Sequence, residues 1–263
     1  MATMIDAASR REASKQALRK ADAAVGTFVG LGSVPATEVC ARAGFEWLLI
    51  DLEHGAGSEA DLNAQTHTAA RFGALSIVRV STPDRIHCSR ALDLGADGVM
   101  APRLDTAEDV SDFVSHLRYP PEGDRGVATY HSAAGFGLVK DYFESLPAPL
   151  VFVQIESEEA LRNVDAIAGV DGVDVLFVGP RDLSSSIGAT PSLQDSAFAD
   201  SCTRVVKAAS DNGIAAGILA GTAASVGGFV ELGFTAVAVG SDSSLMANAA
   251  VHAVTSAHNQ LAR

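Results

Sequence analysis

Val151-Phe152-Val153-Gln154-Ile155-Glu156 and Val175-Leu176-Phe177-Val178-Gly179-Pro180-Arg181-Asp182 decide the fold. Each opens as a short apolar run, the mark of a strand buried on both faces of a parallel sheet, and each ends abruptly on a carboxylate. A third run, Trp47-Leu48-Leu49-Ile50, ends the same way in Asp51-Leu52-Glu53-His54. As strands of one barrel, their carboxyl ends meet in one mouth. Two carboxylates there can hold a divalent cation against a substrate oxygen, and the histidine adds a candidate base.

Working outward, eight apolar runs are predicted as strands: Val25–Leu31, Glu46–Ile50, Leu75–Val80, Gly98–Ala101, Leu150–Ile155, Val173–Val178, Ile214–Ile218 and Ala236–Val239. Ala-rich segments with helical spacing separate most of them, among them Ser58–Phe72, Thr106–Leu117 and Ser196–Asn212. Strict alternation favours a parallel sheet, and eight units favour closure into a single (β/α)8 TIM barrel. An open doubly wound sheet is the alternative, weakened because no G-x-G-x-x-G follows the first strand. Ala43-Gly44-Phe45, Leu94-Gly95-Ala96 and Leu232-Gly233-Phe234 read as left-handed helix caps that return the chain to the barrel. The Gly-, Pro- and aromatic-rich stretch from Tyr119 to Pro149 reads as a lid or interface element. Residues 1–12 are expected as a frayed helix or flexible tail, and 13–263 as one domain.

The 263 residues suit one such barrel, and 48% apolar residues with 24 glycines suit a compact α/β fold with many turns. A formal charge of −13 argues against nucleic acid as a partner. Cys40, Cys88 and Cys202 show no metal or disulfide spacing and read as small buried filler. The polar, mixed-charge start and the lack of any bilayer-length apolar run predict a cytoplasmic protein without membrane contact.

In such a barrel the loops after the strands build the active site. Polar residues at those positions are Asp51, Glu53 and His54, then Arg79, Arg103, Gln154 and Glu156, Asp182, and Ser241 with Asp242; Ile218-Leu219-Ala220 supplies an apolar wall. The four lysines, Lys15, Lys20, Lys140 and Lys207, avoid the strand ends, which removes a Schiff-base mechanism. Gly240-Ser241 is a weak signal for phosphate. Taken alone, Glu156 and Asp182 also read as ordinary rim salt-bridge partners, and His54 as a structural histidine. A carboxylate left unpaired after an apolar strand is costly, which favours a cation or an arginine partner. Asp93 reads as a solvated helix residue.

Together these pieces resemble the HpcH/HpaI family of metal-dependent aldolases. They run from Gly44-Phe45-Glu46-Trp47 to His54, through Val78-Arg79-Val80, Leu92-Asp93-Leu94-Gly95-Ala96 and Tyr119-Pro120-Pro121-Glu122-Gly123-Asp124-Arg125-Gly126, to Gln154-Ile155-Glu156 and Gly179-Pro180-Arg181-Asp182-Leu183-Ser184. The resemblance implies a barrel of the phosphoenolpyruvate/pyruvate type, with its C-terminal helix swapped between subunits of a homohexamer built as a trimer of dimers. It implies cleavage of 4-hydroxy-2-oxo acids to pyruvate and an aldehyde through a metal-stabilised enolate. Glu156 and Asp182 would hold Mg²⁺, Mn²⁺ or Co²⁺, and Arg79 would stabilise the enolate oxygen. Gln154 would place the ligand, His54 would transfer a proton, and Gly179, Pro180 and Arg181 would receive the substrate carboxylate. Leu219 would line the substrate pocket, and Asp93 would reach a neighbouring subunit's histidine. Phe28 stands where a tryptophan is common in the family, and Arg103 could read an acidic aldehyde tail or serve an interface. The alternatives are a malyl-CoA or citryl-CoA type lyase on the same barrel and a non-catalytic barrel that binds a small acid.

Overall fold

The structure, a computed structural model, describes residues 7–145 and 147–262. Its strands are β1 (Ala24–Val29), β2 (Trp47–Asp51), β3 (Leu75–Arg79), β4 (Gly98–Ala101), β5 (Leu150–Ile155), β6 (Val175–Val178), β7 (Ala215–Ala220) and β8 (Ala236–Ser241). They pair in chain order, and β1 closes on β8, with every pair parallel. Closure removes both sheet edges and excludes the open doubly wound alternative. The expected strands sit within three residues of the observed ones at every boundary.

Side chains alternate across each strand, so residues two apart share a face. The inward columns run Ala24, Gly26, Phe28 on β1; Trp47, Leu49 on β2; Leu75, Ile77 on β3; and Leu150, Phe152 on β5. Val175 and Phe177 on β6 and Ala236 and Ala238 on β8 complete a packed interior. Trp47 lies 5.8 Å from Phe152 and 6.1 Å from Phe177, ring centre to ring centre. Such bulk fits because small residues face it: Gly26 is the in-register neighbour of Trp47, and a Cβ there would sit 2.2 Å from the indole. The outward positions, including Ile50, Val78, Val99, Val153 and Val178, bury themselves under the helices in a second core.

Acidic residues organise the lower rim. Glu46, Asp97 and Asp174, each just before a strand, accept the backbone N–H of Val25 (2.8 Å), Ser76 (3.0 Å) and Val151 (2.8 Å). The N-terminal helix, Ala7–Arg19, lies across this end with Leu18 fully buried; Arg11 pairs with Asp97, and Arg19 lies 3.5 Å from Asp174. The helix takes in part of the segment expected as a frayed helix or tail. Ala7–Glu12 are helical, with Arg10 and Arg11 tied to the barrel, and residues 1–6 of that expectation lie outside the described residues.

Gly44 (φ 105°) and Gly233 (φ 114°) end their helices in the left-handed conformation, as their spacing predicts. The three cysteines are free and buried. The Tyr119–Pro149 stretch carries a 3₁₀ turn at Ser132–Gly137 and is pinned through buried Arg125, while Tyr130, Phe136 and Leu138 stand in solvent. The C-terminal helix, Asp242–Leu261, is buried only at its start; Met246, Val251, Val254 and Leu261 are exposed.

Gly26→Ala forces a methyl into the Trp47 ring, so overpacking should cost about 1–3 kcal/mol. Urea unfolding followed by the emission of Trp47, the only tryptophan, should show a lower midpoint. An unchanged midpoint would mean that the interior is loosely packed.

Candidate active site

Continue the inward columns by one residue and the chemistry changes. Above Leu49 stands Asp51, above Ile77 stands Arg79, above Phe152 stands Gln154, and β7 ends its inward column with Leu219. The site is the top layer of the barrel interior, made polar. Asp51 and Arg79 are in-register neighbours on β2 and β3, so their side chains leave the sheet on one face and meet. Arg79 donates Nε to Asp51 Oδ1 at 2.9 Å and Nη2 to Oδ2 at 2.7 Å, a bidentate pair with each residue 6% exposed. Asp51 Oδ1 also accepts the N–H of Glu53 (3.0 Å) and of His54 (3.2 Å), which fixes the loop leaving β2.

On its other side Arg79 Nη1 lies 3.0 Å from Glu53 Oε2, off the line of an N–H, and 3.5 Å from Gln154 Oε1, to which it donates. The Phe28 ring centre is 5.4 Å from the guanidinium carbon. Burial by itself would raise the Asp51 carboxyl, but Arg79 and the two amides outweigh it and hold Asp51 below the usual carboxylate range. His54 projects past this floor with its side chain 69% exposed, its Nε2 3.9 Å from Glu53 Oε2.

Glu156 has no such cation. Its Oε1 accepts the Arg103 N–H at 2.9 Å and its Oε2 accepts the Gln154 amide, both neutral donors. Burial pushes its carboxyl up to about 7; the Arg103 N–H and Arg79 oppose this, while Asp182 and Glu53 push the same way. Asp182 stands exposed in the first turn of the helix Pro180–Ser186. Gly179 lets this turn close on β5, since a Cβ would come within 2.7 Å of Gln154 Nε2 and 3.2 Å of Glu156. The floor thus holds Asp51, Glu53, Glu156 and Asp182 against the single guanidinium of Arg79. Such a floor is short of positive charge, and its hard oxygen donors suit a divalent cation of the Mg²⁺ or Mn²⁺ kind. Among the described residues no group of three or more His, Cys, Asp or Glu could enclose a metal, so two carboxylates would leave most positions to water and substrate.

A cavity of about 780 Å³ opens above this floor. Phe28, Asp51, His54, Arg79, Gln154, Gly179, Pro180, Arg181, Asp182 and Leu219 all line it, and Glu53 and Glu156 stand behind Arg79 and Gln154. Asp93 does not join them. At the end of its helix its Oδ1 takes Arg125 Nη2 at 2.7 Å and lies 3.5 Å from His131 Nε2, so the expectation of a solvated residue is corrected to an ion-paired one. Arg103 contributes its backbone N–H, from a left-handed conformation (φ 54°), rather than a guanidinium in the cavity. Ser241 lines the cavity and caps the C-terminal helix, and the buried Asp242 carboxylate takes the N–H of Gly30 and Leu31.

The strand-end search missed the far wall, built by Ser192, Leu193 and Gln194 and by Thr222, Ser225 and Phe229. Ser192–Gln194 follow a helix rather than a strand, and the one available signal was the Thr-Pro-Ser turn at 190–192.

A family model described as HpcH/HpaI aldolase/citrate lyase matches residues 24–249. A hydroxypyruvate/pyruvate aldolase from Paraburkholderia phytofirmans is 39% identical, covering 87% of this chain and 90% of that protein. A 5-keto-4-deoxy-D-glucarate aldolase from Shigella boydii is 37% identical, covering 87% and 89% respectively. The crystal structure of an HpcH/HpaI aldolase/citrate lyase family protein from Burkholderia cenocepacia superposes with a TM-score of 0.89 at 35% identity, over 94% of this chain and 99% of that one.

Removing Arg79 leaves Asp51 and Glu53 facing each other with no cation, whereas removing Asp51 leaves Arg79 with Glu53 at 3.0 Å. Arg79→Ala should therefore cost about 3–5 kcal/mol in urea unfolding, and Asp51→Ala clearly less. Equal losses would show that Glu53 gives Arg79 no support.

Proposed function

We propose that this chain, which belongs to the HpcH/HpaI aldolase/citrate lyase family and is an aldolase, joins pyruvate or a close 2-oxo acid to an aldehyde and cleaves the resulting 4-hydroxy-2-oxo acid. Glu156 and Asp182 hold a divalent cation in this reading, with Mg²⁺, Mn²⁺ and Co²⁺ all suited to the oxygen donors. The observation that carries it is Glu156: a buried carboxylate hydrogen-bonded by neutral donors only, driven by burial up to about 7 beside a second carboxylate, directly behind the Gln154 that lines the cavity. When bound, the cation supplies Lewis-acid polarisation of the 2-oxo group.

The chain's own residues do the rest. Arg79, already locked by Asp51, turns its remaining N–H bonds toward the oxygen on which charge develops as the C3–C4 bond breaks, without reorganising at that moment. Gln154, held between Arg79 and Glu156, orients the bound 2-oxo acid, and the backbone around Gly179, Pro180 and Arg181 receives its carboxylate. His54 takes the proton of the C4 hydroxyl and, being exposed, passes it to solvent. Leu219 and Phe28 form the apolar sides. Asp93, outside its own chain's cavity, acts across a subunit boundary.

A homohexamer with exchanged C-terminal helices gives Met246, Val251, Val254 and Leu261 a cover they lack in one chain. No helix among the described residues is long and apolar enough to cross a membrane, and the cytoplasm is the compartment this reading assigns. A CoA thioester is the poorer substrate, because among the described residues Arg79, Arg181 and His54 are the only basic side chains lining the cavity, too few for the CoA phosphates.

Methyl-proton exchange of pyruvate in D₂O, followed by NMR, tests the reading without knowledge of the aldehyde. Exchange should need added Mg²⁺ or Mn²⁺, stop with chelator, and be lost in Glu156→Gln and Asp182→Asn. Exchange that persists through chelation would refute the cation site, and none with any metal would refute pyruvate as the substrate. Arg79→Lys should slow cleavage about 10²–10³-fold, since a point charge cannot keep both the Asp51 fork and the oxygen contact. His54→Ala should slow cleavage about 10²–10⁴-fold while leaving metal binding, read by calorimetry, in place. Equal cleavage rates in His54→Ala and the unmodified enzyme would remove the histidine from the proton transfer.

A further inference from the structure

Two arginines line the cavity, and they are in opposite situations. Arg79 is buried and held by two carboxylates, whereas Arg181 is exposed at the cavity edge and makes no ion pair or side-chain hydrogen bond with any described residue. The far wall is neutral and hydroxylated. Ser192 donates its hydroxyl to Gln194 Oε1, which leaves the amide N–H bonds of Gln194, a residue lining the cavity, without a partner among the described residues. Ser225 donates to Thr222 O at 2.8 Å, and the Thr222 hydroxyl lies 3.5 Å from Ser225 Oγ, a weak contact that a better acceptor can replace. The cavity is also far larger than a three-carbon acid needs.

Resting on the aldolase reading, we propose that Arg181 is the specificity-determining residue for the aldehyde half: it pairs with an anionic group at that half's far end, and Gln194, Thr222 and Ser225 take the hydroxyls between. The partner is thus a short hydroxylated aldehyde that carries an acid group. A carboxylate fits better than a phosphate. One guanidinium balances one negative charge, and the other arginine lining the cavity, Arg79, is already held by Asp51 and Glu53, so a dianion would keep one charge unpaired.

The test uses the full-length enzyme with pyruvate and saturating Mg²⁺, and three aldehydes of one backbone. These are 2-hydroxy-3-oxopropanoate (carboxylate), glyceraldehyde (neutral) and glyceraldehyde 3-phosphate. The unmodified enzyme should prefer the carboxylate. Arg181→Gln should lower its kcat/KM relative to that of glyceraldehyde by about 10–100-fold, chiefly through KM, and Arg181→Lys should restore part of that ratio. A ratio that does not move in Arg181→Gln, or a preference for the neutral aldehyde in the unmodified enzyme, overturns the assignment. A preference for the phosphate overturns the choice of carboxylate. Pyruvate methyl exchange by the unmodified enzyme separates the two levels. Its loss sinks the aldolase reading itself, whereas exchange with an unmoved ratio sinks only Arg181.

Discussion

One salt bridge sets the upper layer of this barrel. Asp51 and Arg79 are in-register neighbours on adjacent parallel strands, so the sheet delivers both side chains to the same face at the same height. The pair uses one edge of the guanidinium, Nε with Nη2, and the leftover capacity of Asp51 Oδ1 captures the amides of Glu53 and His54. A single carboxylate therefore positions a cation on one strand and a base and an acid on the loop after another. A buried pair of this kind contributes little net stability over a well-packed apolar pair. Its value lies in geometry, because Arg79 cannot turn without leaving Asp51 uncompensated.

The same layer explains why Glu156 differs from Asp51. Both are buried at strand ends, yet one has a guanidinium and the other has an amide and a backbone N–H. Solvent cannot make up the difference for a carboxylate that is 7% exposed, so Glu156 holds its proton to a higher pH while Asp51 stays ionised. Arg79 is already committed to Asp51 and Glu53, so it lowers the Glu156 carboxyl only through space, too little to offset burial. The unmet demand of that carboxylate, with Asp182 beside it, is what the proposed cation answers.

The fold was readable because parallel strands buried on both faces leave uninterrupted apolar runs, and turns here are marked by glycine. Those runs conceal which face is which, since Leu48 and Leu49 are equally apolar although one lies under the helices and the other inside the barrel. The phase becomes visible only at Asp51, Arg79 and Gln154, where the inward column turns polar, which is why these residues could be named from the sequence. Residues placed by long-range contacts could not. Nothing around Asp93 foretells Arg125, which lies 32 positions on and reaches it through the fold of an irregular loop. Arg103 drew attention for its side chain, while its contribution is a backbone N–H exposed by a left-handed turn. The anchoring of the N-terminal helix was hidden for a similar reason, since Arg10 and Arg11 look like solvated charge until the Phe72 carbonyl and Asp97 are placed beside them.

Rigidity is distributed along the cavity in a way that matches its two tasks. Its floor is carried by β2, β3, β5 and the first turn after β6, elements whose backbones are fixed by the closed sheet. Its far wall comes from Pro191–Gln194 and Thr222–Ser225, loop and 3₁₀ segments with few long-range backbone ties. Chemistry common to every substrate needs fixed dipoles and charges, and these belong on strands. Recognition of the group that varies between substrates needs side chains whose replacement leaves the barrel intact, and these belong on loops. Arg181 sits at the junction, its backbone in the turn that closes on Glu156 and its guanidinium in the mouth. In the proposed reading, a change at that one position alters which aldehyde is read while the layer beneath it stays as it is.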